Sequence, residues 1–156
     1  MNKGDVAEDF ELLDETGELR TLSGLLVGGP VVLFFYPAAM TGGCTAESCH
    51  FRDVAAEFAA FGAQRVGISP DPVSKQAGFA ALNDFDYPLL SDPVGEVAAR
   101  FGARRRFGPL LTRRRTYVIG TDRRIIDVVK SELRMAVHAD RALAALRVHA
   151  ADFPRG

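Results

Sequence analysis

Residues 31–44 read Val-Val-Leu-Phe-Phe-Tyr-Pro-Ala-Ala-Met-Thr-Gly-Gly-Cys, and both the fold and the chemistry turn on them. Val31 to Tyr36 are apolar without alternation, which predicts a central strand buried on both faces. Pro37 cannot continue the ladder and ends it. Beyond the glycines, Phe51, Val54, Phe58 and Phe61 recur at three- and four-residue steps, so Thr45 to Phe61 is expected as a helix with one core face. Cys44 therefore falls at a helix N-terminus. Free backbone N–H groups and the positive end of the helix dipole converge there and favour a thiolate over a thiol. Thr41 lies three residues before Cys44 and can offer a hydroxyl to whatever the sulfur attacks, or simply cap the helix. Cys49 follows five positions on.

Outward from this stretch the chain alternates strands and helices. Phe10 to Leu13 and Glu18 to Thr21 flank the turn Asp14-Glu15-Thr16-Gly17 and suggest an N-terminal hairpin. Val66 to Ser69 is a second buried strand, and Asp71-Pro72 is an N-cap and first-turn pair opening a helix to about Asn83. Asp92-Pro93 repeats the device for a helix through about Phe101. Thr116 to Ile119 and Ile125 to Val129, joined by Gly120-Thr121-Asp122-Arg123, form a second hairpin. His138 to His149, with Leu143 and Leu146 inward, closes the chain as a helix. The pattern predicts one α/β domain over residues 1–156 with a central mixed sheet flanked by helices, and 147–156 as a frayed tail.

Composition narrows the functional classes. With 156 residues, 47% of them hydrophobic, the chain can bury a core without crosslinks. Nineteen basic against twenty acidic side chains argue against a nucleic-acid or anionic-membrane binder. The clusters Arg104-Arg105-Arg106 and Arg113-Arg114-Arg115 are read as solvated loop faces, with Arg115 set apart below. No secretory start is visible in Met1 to Phe10 and no apolar run reaches a membrane span, so a cytoplasmic protein is expected. In that reducing setting two cysteines point to catalysis, redox activity or metal binding rather than a structural staple.

Residues 37–44 read P-x-x-x-T-x-x-C, and here the chain resembles the peroxiredoxins, thiol peroxidases whose active-site loop carries that pattern. Phe34-Phe35-Tyr36-Pro37, Cys44-Thr45-Ala46-Glu47, Cys49-His50-Phe51-Arg52-Asp53 and Leu89-Leu90-Ser91-Asp92 extend the likeness to the Q-type branch, the bacterioferritin comigratory proteins, over residues 4 to about 146. Gly42 stands where that family usually has proline, and Met40 where it usually has an aromatic residue. The resemblance implies a thioredoxin-like fold, with Pro37 shielding the nucleophile and Glu47 belonging to the active site. The bland readings are a strand terminator for Pro37 and a helix-dipole partner for Glu47.

Peroxide reduction needs an ionised nucleophile, donors that align the peroxide, and a route to discharge the oxidised sulfur. Cys44 is the candidate nucleophile. A guanidinium best supplies a permanent cation beside it, and Arg115, opening the strand 116–119, is the candidate that the resemblance favours. Arg113 and Arg114 compete, because alternation puts neighbours on opposite faces. Cys49 is the candidate resolving cysteine. Five residues along a regular helix separate Cα atoms by roughly 8.6 Å, whereas a disulfide spans about 7 Å at most, so the helix must unwind for the bond to form. The alternative for Cys49 is a core-facing cysteine in an enzyme using an external thiol. Cys44, Cys49 and His50 do not match the two-residue spacing of a zinc knuckle and the chain has no second cysteine pair, while His138 and His149 are distant in sequence, read as a helix-start and a surface residue.

The expected function is a cofactor-free thiol peroxidase, a monomer or weak homodimer. It would reduce hydrogen peroxide and organic hydroperoxides and be recycled by thioredoxin or a similar dithiol. The alternatives are a disulfide reductase, against which the missing C-x-x-C argues, and a non-turnover redox sensor using a Cys44–Cys49 switch.

Overall fold

The computed structural model describes residues 1–105, 112–132 and 134–152. Among them the chain runs through β1 (Glu11–Leu13), β2 (Leu19–Thr21), α1 (Leu22–Leu26), β3 (Val31–Phe35), α2 (Gly42–Asp53), α3 (Ala55–Ala60), β4 (Gln64–Ser69), α4 (Val73–Asn83), β5 (Leu89–Ser91), α5 (Glu96–Phe101), β6 (Arg115–Ile119), β7 (Ile125–Lys130) and α6 (Met135–Asp152). The sheet order is β2-β1-β5-β4-β3-β6-β7. β3 is parallel to β4 and antiparallel to β6, so the sheet is mixed. No helix among the described residues is long and apolar enough to cross a membrane.

The unbroken apolar run of β3 is explained by its two neighbours and two covered faces. Val31, Leu33 and Phe35 pack into one core with Phe10, Leu25, Phe101 and Tyr117, under α1 and α5. Val32, Phe34 and Tyr36 pack into the other with Phe51, Phe58, Phe79 and Leu146, under the helices that carry the cysteines. Phe34 stacks on Phe51 of α2 with ring centroids 4.1 Å apart. Burying such a ring contributes about 1.5–3 kcal/mol, so α2 is pinned to the centre of the sheet.

Both hairpins form at the expected positions, and α6 continues through Asp152, so 147–152 are helical. The tail residues 153–156, like Arg106 of the first arginine cluster, lie outside the described residues. Three further expectations are corrected. The single helix 45–61 is two, broken at Val54 (φ −102°, ψ 27°). Arg65 Nη1 donates to the Phe51 carbonyl at 2.9 Å, an acceptor that a continuing helix would use itself. Asp71 does not cap α4, whose N-cap is Pro72 without a side-chain bond. Its carboxylate instead accepts from Ala39 N at 2.6 Å and Ser69 Oγ at 2.7 Å. It thereby ties the loop before Cys44 to the end of β4. Nor is Asp92-Pro93 the N-cap and first turn of α5, which starts at Glu96 with Gly95 as its N-cap; the Asp92 carboxylate reaches forward instead and accepts from Val97 N and Ala98 N.

Candidate active site

The loop from Pro37 to Thr41 carries the chain off β3 and onto α2. Pro37 is buried, and Met40 is 45% exposed with a left-handed φ of 69°, a conformation that costs a branched or bulky side chain and is held here by the Asp71 tie next door. Thr41 is the N-cap of α2, but its hydroxyl makes no capping bond; Oγ1 donates to Ala38 O at 2.9 Å. Cys44 thus lies in the first turn of a helix whose N-terminus has no capping side chain. Cys44 is fully buried, Cys49 is half-buried with Sγ 3.6 Å from Asn83 Oδ1, and both thiols are free.

The cation at the sulfur is Arg114. Its Nη2 donates to Cys44 Sγ at 3.2 Å, and its Nη1 donates to Glu47 Oε1 at 2.9 Å. Arg115, the residue expected there, turns away: its Nη1 donates to Arg114 O at 3.0 Å and lies 3.6 Å from Glu132. Strand parity is the reason. Val118 packs on the side of α2 and α6, where Thr116 meets His138, whereas Tyr117 and Ile119 fill the opposite core with which Arg115 shares its side. Arg114 continues the row of Thr116 and Val118 towards the cysteine helix. It is buried, so reading the second arginine cluster as a solvated face is corrected at this position.

Glycine makes the approach possible. A Cβ on Gly43 would stand 3.3 Å from Arg114 Nη2 and 3.5 Å from Met135 Sδ, while one on Gly42 would meet nothing within 4 Å. Glu47 is fully buried, and burial pushes its carboxyl up to about 8 against the pull of Arg114. Against burial, Glu47 and Cys44 hold the Arg114 proton more tightly than usual. His138 lies in the first turn of α6, as expected, but is fully buried, and its Nε2 stands 3.5 Å from Glu47 Oε2. The site so assembled holds a shielded sulfur, helix-end N–H groups and a fixed guanidinium together, the parts that stabilise charge on sulfur and on an attacked oxygen. Sequence reasoning preferred Arg115 and kept Arg114 only as a competitor, and it missed the roles of Gly43, Asp71 and His138 in the site. Only the polar Thr116 facing inward from an apolar strand hinted at the parity.

A cavity of about 720 Å³ lined by Ile125, Ile126, Ala145 and Val148 lies at the far end of β6 from this site.

Residues 3–128 match the AhpC/TSA family. The chain is 61% identical to the peroxidoxin BcpB of Mycobacterium tuberculosis, whose crystal structure superposes with a TM-score of 0.91 over 95% of this chain and 97% of that one. The bacterioferritin comigratory protein of Xanthomonas campestris, studied for alkyl peroxide reduction, is 30% identical with a TM-score of 0.82, covering 90% of this chain and 92% of that one. The chloroplastic peroxiredoxin Q of Arabidopsis thaliana is 35% identical over 147 residues, 94% of this chain and 68% of its own length. The chain belongs to the AhpC/TSA family and, within it, to the peroxiredoxins with a thioredoxin-like fold. It is a thiol peroxidase, an oxidoreductase with peroxide as substrate and a thiol as reductant.

Proposed function

We propose that Cys44 is the peroxidatic sulfur of a two-cysteine cycle. The thiolate attacks the nearer oxygen of ROOH, the S–O bond forms as the O–O bond breaks, and RO⁻ leaves and takes up a proton as water or alcohol; sulfur is oxidised to sulfenic acid and the peroxide is reduced. Arg114 stabilises the thiolate before the attack and the charge on the peroxide oxygens during it, in the role first assigned to Arg115. Thr41 holds the incoming peroxide through Oγ1, Pro37 shields the sulfur, and Glu47 fixes the guanidinium. Cys49 then attacks the sulfenic sulfur, water leaves, and a Cys44–Cys49 disulfide forms. A thioredoxin-like dithiol reduces that disulfide by exchange.

The observation that carries this reading is the 3.2 Å contact of Arg114 Nη2 with a buried sulfur at a helix N-terminus. Organic hydroperoxides join hydrogen peroxide as substrates on the strength of the Xanthomonas relative's alkyl peroxide reduction. A reducing compartment such as the cytoplasm suits the two free thiols.

The test follows peroxide consumption with a thioredoxin system for the wild type and Cys44→Ser, and maps the oxidised wild type by mass spectrometry. Many turnovers lost in Cys44→Ser, with an intramolecular 44–49 linkage, are expected. A Cys44→Ser variant as active as the wild type would sink the assignment of the nucleophile. Only intermolecular or mixed disulfides would remove Cys49 from the cycle.

A further inference from the structure

Glu47 Oε2 is a buried carboxyl oxygen that accepts no hydrogen bond among the described residues, an arrangement with a desolvation cost and therefore in need of a reason. The polar atom that faces it is His138 Nε2, at 3.5 Å. The imidazole is held at both nitrogens. Nδ1 pairs with Thr116 Oγ1 at 2.8 Å, and Nε2 with the Ser131 carbonyl at 2.7 Å. A carbonyl only accepts, so Nε2 carries the proton and Nδ1 takes the threonine hydroxyl's. The N–H is thus hydrogen-bonded to Ser131 and stands as a longer, purely electrostatic neighbour of Glu47 Oε2. Glu47 passes the effect on through Oε1 to Arg114, and Arg114 to Cys44.

We propose that His138 is a positioning residue of the thiol site: its Nε2–H supports the ionised form of Glu47, and through Glu47 and Arg114 it sets how much of the guanidinium's charge reaches Cys44 Sγ. This rests on the reading of Cys44 as the peroxidatic sulfur. An anionic Glu47 anchors Arg114 but shares its charge, whereas a protonated Glu47 leaves that charge to the sulfur and holds the guanidinium less firmly. The groups that bear on the balance are few. Glu47 feels the charges of Arg114 from the segment entering β6 and of Glu132 from the β7–α6 connection, and it is faced by His138 of α6 at 3.5 Å and, across Arg114, by Cys44 of its own helix. His138 is faced by Arg114, Arg115 and Glu132 besides Ser131, and burial pushes its imidazole down to about 4, so the ring acts as a neutral donor. Because Glu47 titrates near 8, a modest donor moves its charge within the working pH range.

The experiment is difference infrared spectroscopy of the reduced full chain, following the carbonyl stretch of a protonated buried carboxyl against pH, with Glu47→Gln assigning the band. His138→Gln keeps a donor at the Nε2 position; His138→Asn reaches Thr116 but not Glu47. The Asn variant is expected to move the Glu47 midpoint upward by about half to one pH unit, a three- to tenfold change in its ionised fraction at a given pH. The Gln variant should stay at the wild-type midpoint. In single-turnover oxidation of Cys44 by hydrogen peroxide the alkaline limb of the rate should move in parallel. Coincident midpoints for the Asn and Gln variants overturn the proposal, whether both match the wild type or both depart from it. If the midpoints move as expected while the wild type consumes no peroxide, the peroxidase reading fails and the His138–Glu47 coupling stands.

Discussion

Arg114 reaches Cys44 Sγ at 3.2 Å from a position seventy residues later in the chain, and its Nη2 stands against Gly43, where a side chain would crowd it. Two N–H groups of one rigid fork serve the sulfur and Glu47 at once, a geometry that a lysine ammonium does not reproduce.

Arg114→Lys should therefore slow the oxidation of Cys44 by hydrogen peroxide by about tenfold or more, the scale of one charge-assisted hydrogen bond. Arg115→Lys should change it less than about twofold, since Arg115 meets Glu132 and a backbone carbonyl on the other side of the strand. Single-turnover rates of the reduced proteins decide between them, and the reverse order would put the strand parity in error.

The two glycines before Cys44 should behave differently. Gly43→Ala places a methyl 3.3 Å from Arg114 Nη2, so the guanidinium must retreat and the peroxide step should slow several-fold. Gly42→Ala meets nothing and adds helix propensity, about 0.5–1 kcal/mol, to the first turn of α2. It should raise the melting temperature of the reduced form and slow disulfide formation, because the helix must open for it. Equal rates in the two alanine variants would show that the gap at Gly43 does not matter.

Stability should carry the signature of the buried pair. Glu47 ordinarily titrates at 4.5 and here near 8, so the unfolded chain ionises first as pH rises; the stability from its neutral form is complete below 4.5 and is lost as pH climbs towards 8, by an amount on the order of a few kcal/mol. His138 runs the other way. Its ordinary value of 6.5 falls to about 4, so its contribution is present above 6.5 and is lost as pH drops towards 4. Urea unfolding of reduced protein should give a Glu47→Gln variant that gains on the wild type between pH 5 and pH 8. A gap of constant size across that range would contradict the shifted carboxyl.

Oxidation should cost helix. Forming the Cys44–Cys49 disulfide must break α2, whose second half is held by Tyr87 Oη donating to Ser48 O at 2.6 Å and by Arg65 donating to Phe51 O. Amide hydrogen exchange across residues 42–52 should accelerate in the disulfide form while β3 and β4 stay protected. Cys49→Ser should react once with peroxide, retain the slow exchange of α2 and accumulate sulfenic acid, readily driven to sulfinic acid by excess peroxide. Unchanged exchange in an oxidised wild type with the 44–49 linkage would mean that α2 accommodates the bond without opening.

The chain alone determined the order of β3, loop and cysteine helix, both hairpins and the placing of Cys44 at a helix start, because these depend on local matters: an apolar run, a proline, a pair of glycines and a three-to-four repeat. It also carried the family pattern around Pro37, Thr41 and Cys44. The break at Val54 was invisible because its cause, Arg65 at the Phe51 carbonyl, comes from another strand. Asp71-Pro72 has the local look of a cap, yet the stronger claim on the carboxylate is the Ala39 N–H thirty-two residues earlier. The choice of Arg114 over Arg115 depended on which face of β6 looks at α2, and three adjacent arginines do not reveal the phase of the alternation. That phase is set where Val118 and Thr116 pack beneath α2 and α6 while Tyr117 and Ile119 fill the opposite core. His138 became part of the site for the same reason: only the docking of α6 beside α2 brings a residue ninety-one positions from Glu47 to within 3.5 Å of its carboxyl. Local pattern selects elements, but long-range packing decides which side chains meet.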